Sequence, residues 1–163
     1  MRLSLAASLT SLLAAGAAVA GAPEPSKPGD PSGFSGRWYQ LGRAGAESPH
    51  PCPAATEDYA SDDRGPTVTV VCHPAGGGGA TYHGRVTIIP GSANAKFRLQ
   101  FFGGLVTREY WTLDHASAWA LTATPDGRTL YLMARRPTLG GAERAAAWAR
   151  IRALGFDPAS LQP

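Results

Sequence analysis

Apolar and polar residues alternate in short runs along most of the chain, and turn-forming residues separate the runs. The clearest run is 95–101, where Phe97, Leu99 and Phe101 alternate with Lys96, Arg98 and Gln100. An alternation of period two places the two sets on opposite faces of a β-strand. The whole pattern predicts eight strands, at 37–43, 56–61, 67–72, 82–89, 95–101, 109–114, 119–124 and 129–135.

The period changes near the C-terminus, where 141–154 is the one predicted helix. Ala145, Trp148, Ile151 and Leu154 share a face, and Gly155 ends the helix. We expect this stripe to pack against the outside of the sheet. The order of elements favours an all-β fold, an eight-stranded antiparallel up-and-down β-barrel with one C-terminal α-helix outside, because closure removes exposed strand edges.

The first strand begins with Gly36-Arg37-Trp38-Tyr39, which suits the closed end of such a barrel. Gly36 allows the backbone to bend into the strand, and the indole of Trp38 is large enough to form a floor. Arg135, at the end of the last predicted strand, is expected to lie across that indole in a cation–π contact. The alternative is that Trp38 is an ordinary core residue.

The N-terminal part divides into two segments ahead of a predicted barrel domain at 34–163. Residues 1–20 have the form of a signal peptide, with Arg2, an apolar run and the cleavage pattern Ala18-Val19-Ala20. Residues 21–33 are rich in proline and polar residues, which predicts a disordered lead. No cysteine lies close to the predicted cleavage site, so we expect an exported product, periplasmic or secreted, that is soluble and has no attached lipid anchor.

Charge and cysteine content narrow the function further. The formal net charge of +3 is spread along 163 residues without a basic block, which argues against binding to nucleic acid. In an exported protein the pair Cys52 and Cys72 predicts a disulfide, and closing a loop of about twenty residues contributes roughly 3 kcal/mol. A reactive thiol and a thiolate metal site are the alternatives.

Three stretches together resemble the lipocalins, and most closely the bacterial lipocalins of the outer-membrane lipoprotein Blc type. The first is Gly36-Arg37-Trp38-Tyr39, which is similar to the family's Gly-x-Trp motif. The others are 96–103 and 130–138, similar to the fifth strand and to the closing strand with its arginine and proline. The family's middle motif is incomplete here, because Asp114 is present without the accompanying tyrosine, and Trp119 is expected to fill that space.

The resemblance implies a carrier that holds a small hydrophobic ligand, such as a fatty acid or lysophospholipid, in the barrel, with transient membrane proximity. It implies no cofactor and no metal, and the oligomeric state stays open. Strand alternation then selects the side chains that line the cavity: Gln40, Phe97, Leu99, Phe101, Leu121, Tyr131 and Met133. Four residues are assigned to closure of the barrel: Gly36, Trp38, Trp119 and Arg135.

Other functions stay open at this stage. Eight-stranded barrels can be filled by their own side chains, which would leave no cavity. An enzyme of this fold would need a nucleophile or acid, for which Cys52, Asp58, Glu109 and Asp114 are the candidates. A protein-interaction module would use the loops, including the Gly-rich turn 74–79. Metal or haem binding would depend on four scattered histidines: His50, His73, His83 and His115.

Overall fold

The computed structural model describes residues 21–45, 52, 54–74 and 76–162. A one-turn helix α1 (Pro31–Phe34) precedes eight strands, and a second helix α2 (Gly141–Ala153) follows them. Short 3-10 turns lie at Phe102–Gly104 and Pro158–Ser160. The strands are β1 (Gly36–Gly45), β2 (Ala55–Asp62), β3 (Gly65–Cys72), β4 (Thr81–Ile88), β5 (Lys96–Phe101), β6 (Val106–His115), β7 (Trp119–Ala123) and β8 (Thr129–Ala134).

The strands form a closed barrel in sequence order, and β8 pairs with β1. Every neighbouring pair is antiparallel, as short turns between strands require. The turn between β7 and β8 shows how the sequence sets these connections. Asp126 accepts hydrogen bonds from the backbone of Arg128 and the hydroxyl of Thr124, and Gly127 takes a positive φ of 67°. The predicted up-and-down barrel with a C-terminal helix is confirmed.

The largest apolar core lies outside the barrel, between β6–β8 and α2. Leu113, Leu121, Leu130 and Leu132 point outward from their strands and are fully buried beneath Ile151 and its neighbours. Burial of this surface stabilises the fold by about 25 cal/mol per Å² of apolar area. The helix therefore completes the core of the protein.

Three residues lie in positions that differ from those predicted from the sequence. Trp119 was expected at the closed end, but it is buried in the outer core, because β7 turns Trp119 and Leu121 toward α2 and Ala120 toward the barrel interior. Leu121 was expected in the cavity lining and points away from it for the same reason. Ala145 is exposed, since Ala147 takes its place on the buried face of the helix.

The closed end of the barrel is built from the residues that the first strand predicts. The guanidinium of Arg135 lies 4.0 Å from the centroid of the Trp38 ring. It also donates hydrogen bonds to the carbonyl oxygens of Ser35, Arg37 and Gly33. Gly36, with φ of 88°, lets the chain pass beneath this guanidinium.

Helix α1 adds a second aromatic ring to this floor. Phe34 stacks on Trp38 with a centroid distance of 5.1 Å, and the indole N–H of Trp38 donates to the Phe34 carbonyl at 2.9 Å. The segment just before the first strand is therefore part of the barrel's closure.

The lead at 21–33 is ordered on the barrel wall, which corrects the prediction of disorder. Ser26 donates to the Leu113 carbonyl through both its backbone N–H and its hydroxyl, each at 2.9 Å. Gly29 donates to Ala93, and Glu24 forms an ion pair with Lys96 at 2.8 Å. The prolines fix an extended conformation, and the backbone groups between them find partners on the barrel.

Asp114 joins the lead to the C-terminal helix. Its two carboxylate oxygens lie 2.8 Å from Lys27 Nζ and 2.7 Å from Arg150 Nε. Burial acts to raise the pKa of Asp114, but the hydrogen bonds from Lys27 and the His115 backbone and the charge of Arg150 outweigh it and lower the pKa. One carboxylate thus binds both the lead, which precedes the barrel strands in the sequence, and α2, which follows them.

Two further predictions concern the cysteine pair and the N-terminal segment. Cys52 and Cys72 form the predicted disulfide, with their Cα atoms 5.3 Å apart. The predicted signal peptide at 1–20 lies outside the described residues. Within the described part of the chain, neither helix has the length and apolar content to cross a membrane.

Replacement of Asp114 by alanine should lower the free energy of unfolding by about 1–3 kcal/mol at neutral pH, because it leaves two cations without their partner. The wild-type stability should also fall as the pH drops below about 4, since a carboxyl with a lowered pKa stabilises the fold only while ionised. Urea unfolding followed by circular dichroism across this pH range measures both effects. Asp62→Ala, at the exposed ion pair with Arg85, is the matched control and should cost less.

Replacement of Arg135 by lysine should lower the free energy of unfolding by about 1–2 kcal/mol, because lysine keeps the charge but loses the fork that reaches three carbonyl oxygens. Arg135→Gln should lower it further, since the cation–π contact is lost as well. Arg136→Lys serves as control, because Arg136 makes an exposed ion pair with Glu143. Equal unfolding curves for wild type and Arg135→Gln would contradict this account of the floor.

Candidate functional site

The barrel encloses a cavity of about 410 Å³, which corrects the possibility of a filled interior. Trp38 forms the floor of the cavity. From this floor the cavity extends to the end of the barrel where β1, β3 and β5 finish and β2, β4 and β6 begin. Such a volume lies within the usual range of small-molecule sites. The lining consists of Phe34, Trp38, Gln40, Arg43, Cys52, Ala55, Glu57, Tyr59, Val70, Cys72, Tyr82, Phe97, Leu99, Phe101, Phe102, Val106, Arg108, Tyr110, Thr122, Tyr131 and Met133.

Strand alternation brings six of the seven predicted lining residues to the cavity. They are Gln40, Phe97, Leu99, Phe101, Tyr131 and Met133. Leu121 is the exception, because its side chain belongs to the outer core. The pattern of β5 and β8 identified the inner faces of these strands, whereas β7 is buried on both faces and its alternation does not distinguish inside from outside. A role for these six residues in ligand binding stays a prediction.

Arg43 enters the cavity because β1 contains an irregularity after Gln40. Gln40 pairs with Met133, and Gly42, two residues on, pairs with the next residue Leu132. The extra residue is Leu41, and it packs toward the outer core. Strict alternation from Trp38 would turn Gly42 inward, but the bulge puts Arg43 there instead, as β-bulges commonly re-aim side chains. Period-two alternation along β1 therefore does not identify Arg43 as a lining residue.

A carboxyl group lies inside the cavity, at Glu57 on β2. Glu57 pairs with Trp38 across β1 and β2, so it sits close to the floor. The hydroxyl of Tyr59 donates a hydrogen bond of 2.6 Å to its Oε2 atom. Burial raises the pKa of Glu57, and the hydrogen bond from Tyr59 opposes that rise. The remaining exposed surface of this side chain faces the cavity.

Two more phenols line the cavity, at Tyr110 and Tyr131. The rings of Tyr110 and Tyr131 meet edge to face at 5.9 Å, and Tyr110 lies 5.9 Å from Phe97. Burial raises the pKa of Tyr110, and the nearby Tyr131 and Glu57 raise it further, so its hydroxyl stays protonated. We refer to Glu57, Tyr59, Tyr110 and Tyr131 as the inner polar cluster. The alternation pattern does not identify Glu57 and Tyr59, because β2 carries polar residues on both faces. Tyr110, on β6, is likewise absent from the predicted lining.

The mouth of the cavity has a different character. Arg43 and Arg108 line it, together with the two sulfur-bearing residues of the disulfide. Phe102 and Leu105 beside it are 61% and 89% exposed, which is unusual for large apolar side chains in one turn. Basic and apolar groups therefore surround the entrance, whereas a carboxyl group and phenols lie near the floor.

The residues considered for catalysis lie elsewhere. Asp58 pairs with Arg37, Glu109 pairs with Arg98, and Asp114 pairs with Lys27 and Arg150, none of them in the cavity lining. Cys52 lines the cavity but is held in the disulfide.

The histidines do not come together. His73 contacts Thr56, His83 contacts Thr69 and His115 contacts the Pro28 carbonyl, while His50 lies outside the described residues. Among residues 21–45, 52, 54–74 and 76–162, no group of three His, Cys, Asp or Glu side chains is placed to hold a metal ion.

Several solved structures have a similar fold. Insecticyanin of the tobacco hornworm Manduca sexta aligns with a TM-score of 0.66 and 16% identity over 85% of this chain and 87% of its own. The cockroach allergen Per a 4 aligns at 0.64 and 15% over 86% and 94%. The amine-binding protein of Rhodnius prolixus, in its complex with tryptamine, aligns at 0.63 and 13% over 87% and 85%.

Sequence comparison gives the family directly. A search of curated proteins finds no matching sequence. The family model described as "Lipocalin-like domain", however, matches residues 30–163, which cover the barrel, the outer helix and the end of the lead. The chain therefore belongs to the lipocalin-like family.

Proposed function

We propose that the protein is a carrier that takes a small, mainly apolar molecule out of water and holds it in the barrel. The observation that carries this proposal is the cavity of about 410 Å³, lined by aromatic and aliphatic side chains and open at one end. Members of this family are mostly binding or carrier proteins, and the tryptamine complex of the Rhodnius prolixus protein supports a fold that admits small ligands.

For the ligand class we propose a lipid with one acyl chain, such as a fatty acid or lysophospholipid. Its chain would lie among Phe97, Leu99 and Phe101, and its acidic group would remain at the mouth beside Arg43 and Arg108. Each buried methylene is worth roughly 0.8 kcal/mol, so about ten would give ~8 kcal/mol before ordering costs. The position of the two arginines supports this orientation, because the chain enters first and the charge stays near water.

The same proposal includes export and the absence of catalysis. The signal-peptide pattern at 1–20 and the disulfide support a protein of an oxidising compartment, periplasmic or secreted. We also propose a place beside the bacterial Blc-type lipocalins, supported by the motifs at 36–39 and 130–138. The disulfide at Cys52 and the ion pairs of the candidate acids support binding without turnover.

Replacement of Val70 by tryptophan should weaken binding of a fluorescent fatty acid by at least about tenfold, because the indole would fill cavity volume. Val70 lines the cavity, and its neighbour Val71 does not. Val71→Trp is therefore the matched control and should bind as the wild type does. Titration with thermal unfolding of each variant measures the effect, and equal affinity in all three proteins would contradict binding inside the barrel.

Replacement of both Arg43 and Arg108 by glutamine should reduce the affinity for a fatty acid by about tenfold and leave the affinity for the matching alcohol unchanged, since only the acid gains from the arginine charges. Arg98→Gln, which lies outside the cavity beside Glu109, is the control. Isothermal titration with both ligands gives the comparison. Loss of acid and alcohol binding to the same degree would show that the arginines do not select the head group.

A further inference from the structure

The inner polar cluster has no role in holding an acyl chain. A fatty acid that enters chain first would bring its methyl end toward Glu57, Tyr59, Tyr110 and Tyr131. A buried carboxyl group is costly unless it gains compensating contacts, and Tyr59 supplies one hydrogen bond to it. The cluster therefore calls for a ligand with a complementary group at its inner end.

We propose that the inner polar cluster binds the ammonium group of an apolar amine, with Glu57 as its counter-ion and the surrounding rings as its walls. This inference rests on the proposed function only in that the cavity must admit ligands. It assigns a second ligand class to the barrel, oriented with its charged group at the floor rather than at the mouth.

The chemistry of the cluster distinguishes an amine from an acid. A carboxylate accepts hydrogen bonds from an ammonium group at roughly twice the strength of neutral pairs, whereas it repels a second carboxylate. The faces of Tyr59, Tyr110 and Tyr131 carry negative charge density that favours a cation near them. The low dielectric of a closed floor strengthens both effects.

Other polar and charged groups also face the cavity, but among the described lining residues Glu57 is the acidic one. It is therefore the counter-ion for an ammonium group near the floor. On β1 the other groups are Gln40 and Arg43, which pairs with Tyr131 on β8, and on β6 Arg108, whose charge acts to lower the pKa of Tyr110. The linings from β3, β4, β5 and β7 consist of uncharged residues. Arg135 lies on the other side of Trp38, where three carbonyl oxygens receive its hydrogen bonds.

Charge at Glu57 should make amine binding depend on pH. The raised pKa of this carboxyl means that part of the free protein holds it neutral under mildly acidic conditions, and a neutral carboxyl loses its attraction for ammonium. An alkyl amine stays protonated up to a pH of about 10, like a lysine side chain. Amine affinity should therefore rise as the pH rises through the pKa of Glu57, while the affinity for an alcohol stays constant.

The test compares decylamine, decanol and decanoic acid, which share one chain and differ in one end group. Each displaces a fluorescent probe from the mature protein between about pH 4 and about pH 8, with folding checked by circular dichroism. We expect decylamine to bind about tenfold tighter than decanol at neutral pH. Glu57→Gln keeps the shape and removes the charge, so it should abolish this preference and its pH dependence.

Tyr59→Phe provides a second variant that acts through Glu57. It removes the hydrogen bond that favours the ionised carboxyl, so the pH at which decylamine affinity rises should shift upward. A merely structural role of Glu57 would leave the midpoint of that curve unmoved.

Three results decide the matter. A decylamine preference that Glu57→Gln abolishes supports the inference. Equal binding of decylamine and decanol, unchanged in Glu57→Gln, overturns the inference and leaves the carrier function standing. A folded protein that binds none of the three compounds and no probe overturns the carrier function itself.

Discussion

The contact between Arg135 and Trp38 is the interaction on which the closed end depends. Arg135 follows the last strand, Trp38 lies in the first, and the carbonyl oxygens of Gly33, Ser35 and Arg37 receive the guanidinium hydrogen bonds. The two ends of the sheet are thereby joined by a side chain as well as by the β1–β8 ladder. Because arginine cannot lose its charge at ordinary pH, this joint persists under conditions that protonate carboxyl groups.

Closure by a few residues leaves room for a cavity only because the main core lies elsewhere. The fully buried leucines of β6–β8 point toward α2, so the strongest apolar packing holds the wall from outside. On the opposite wall, β2, β3 and β4 carry Glu57, Val70 and Tyr82 into the interior. The helix thus supplies stability that a barrel with a filled interior obtains from its own lumen.

Much of this arrangement follows from local sequence patterns. The strands, their order and the aromatic floor could be predicted from period-two alternation, turn residues and one motif, as the pairing of Trp38 with Arg135 illustrates. The orientation of β7 could not be predicted, because Trp119, Ala120 and Leu121 are all apolar. Which of them face α2 depends on tertiary packing. Arg43 was missed because a single bulge reverses the alternation, and Glu57 because β2 carries no apolar stripe to mark its inner face.

The lead shows that composition alone does not predict disorder, and its position has a consequence for the order in which its contacts form. Lys27 in the lead forms an ion pair with Asp114, and Asp114 also pairs with Arg150 in α2. The same carboxylate therefore binds segments near both ends of the chain. The binding site for residues 22–29 is complete only when the turn at Pro125, between β7 and β8, has been made, because Ala22 donates a hydrogen bond to the Pro125 carbonyl. A nascent chain therefore presents this segment without its partners until most of the barrel strands have been made.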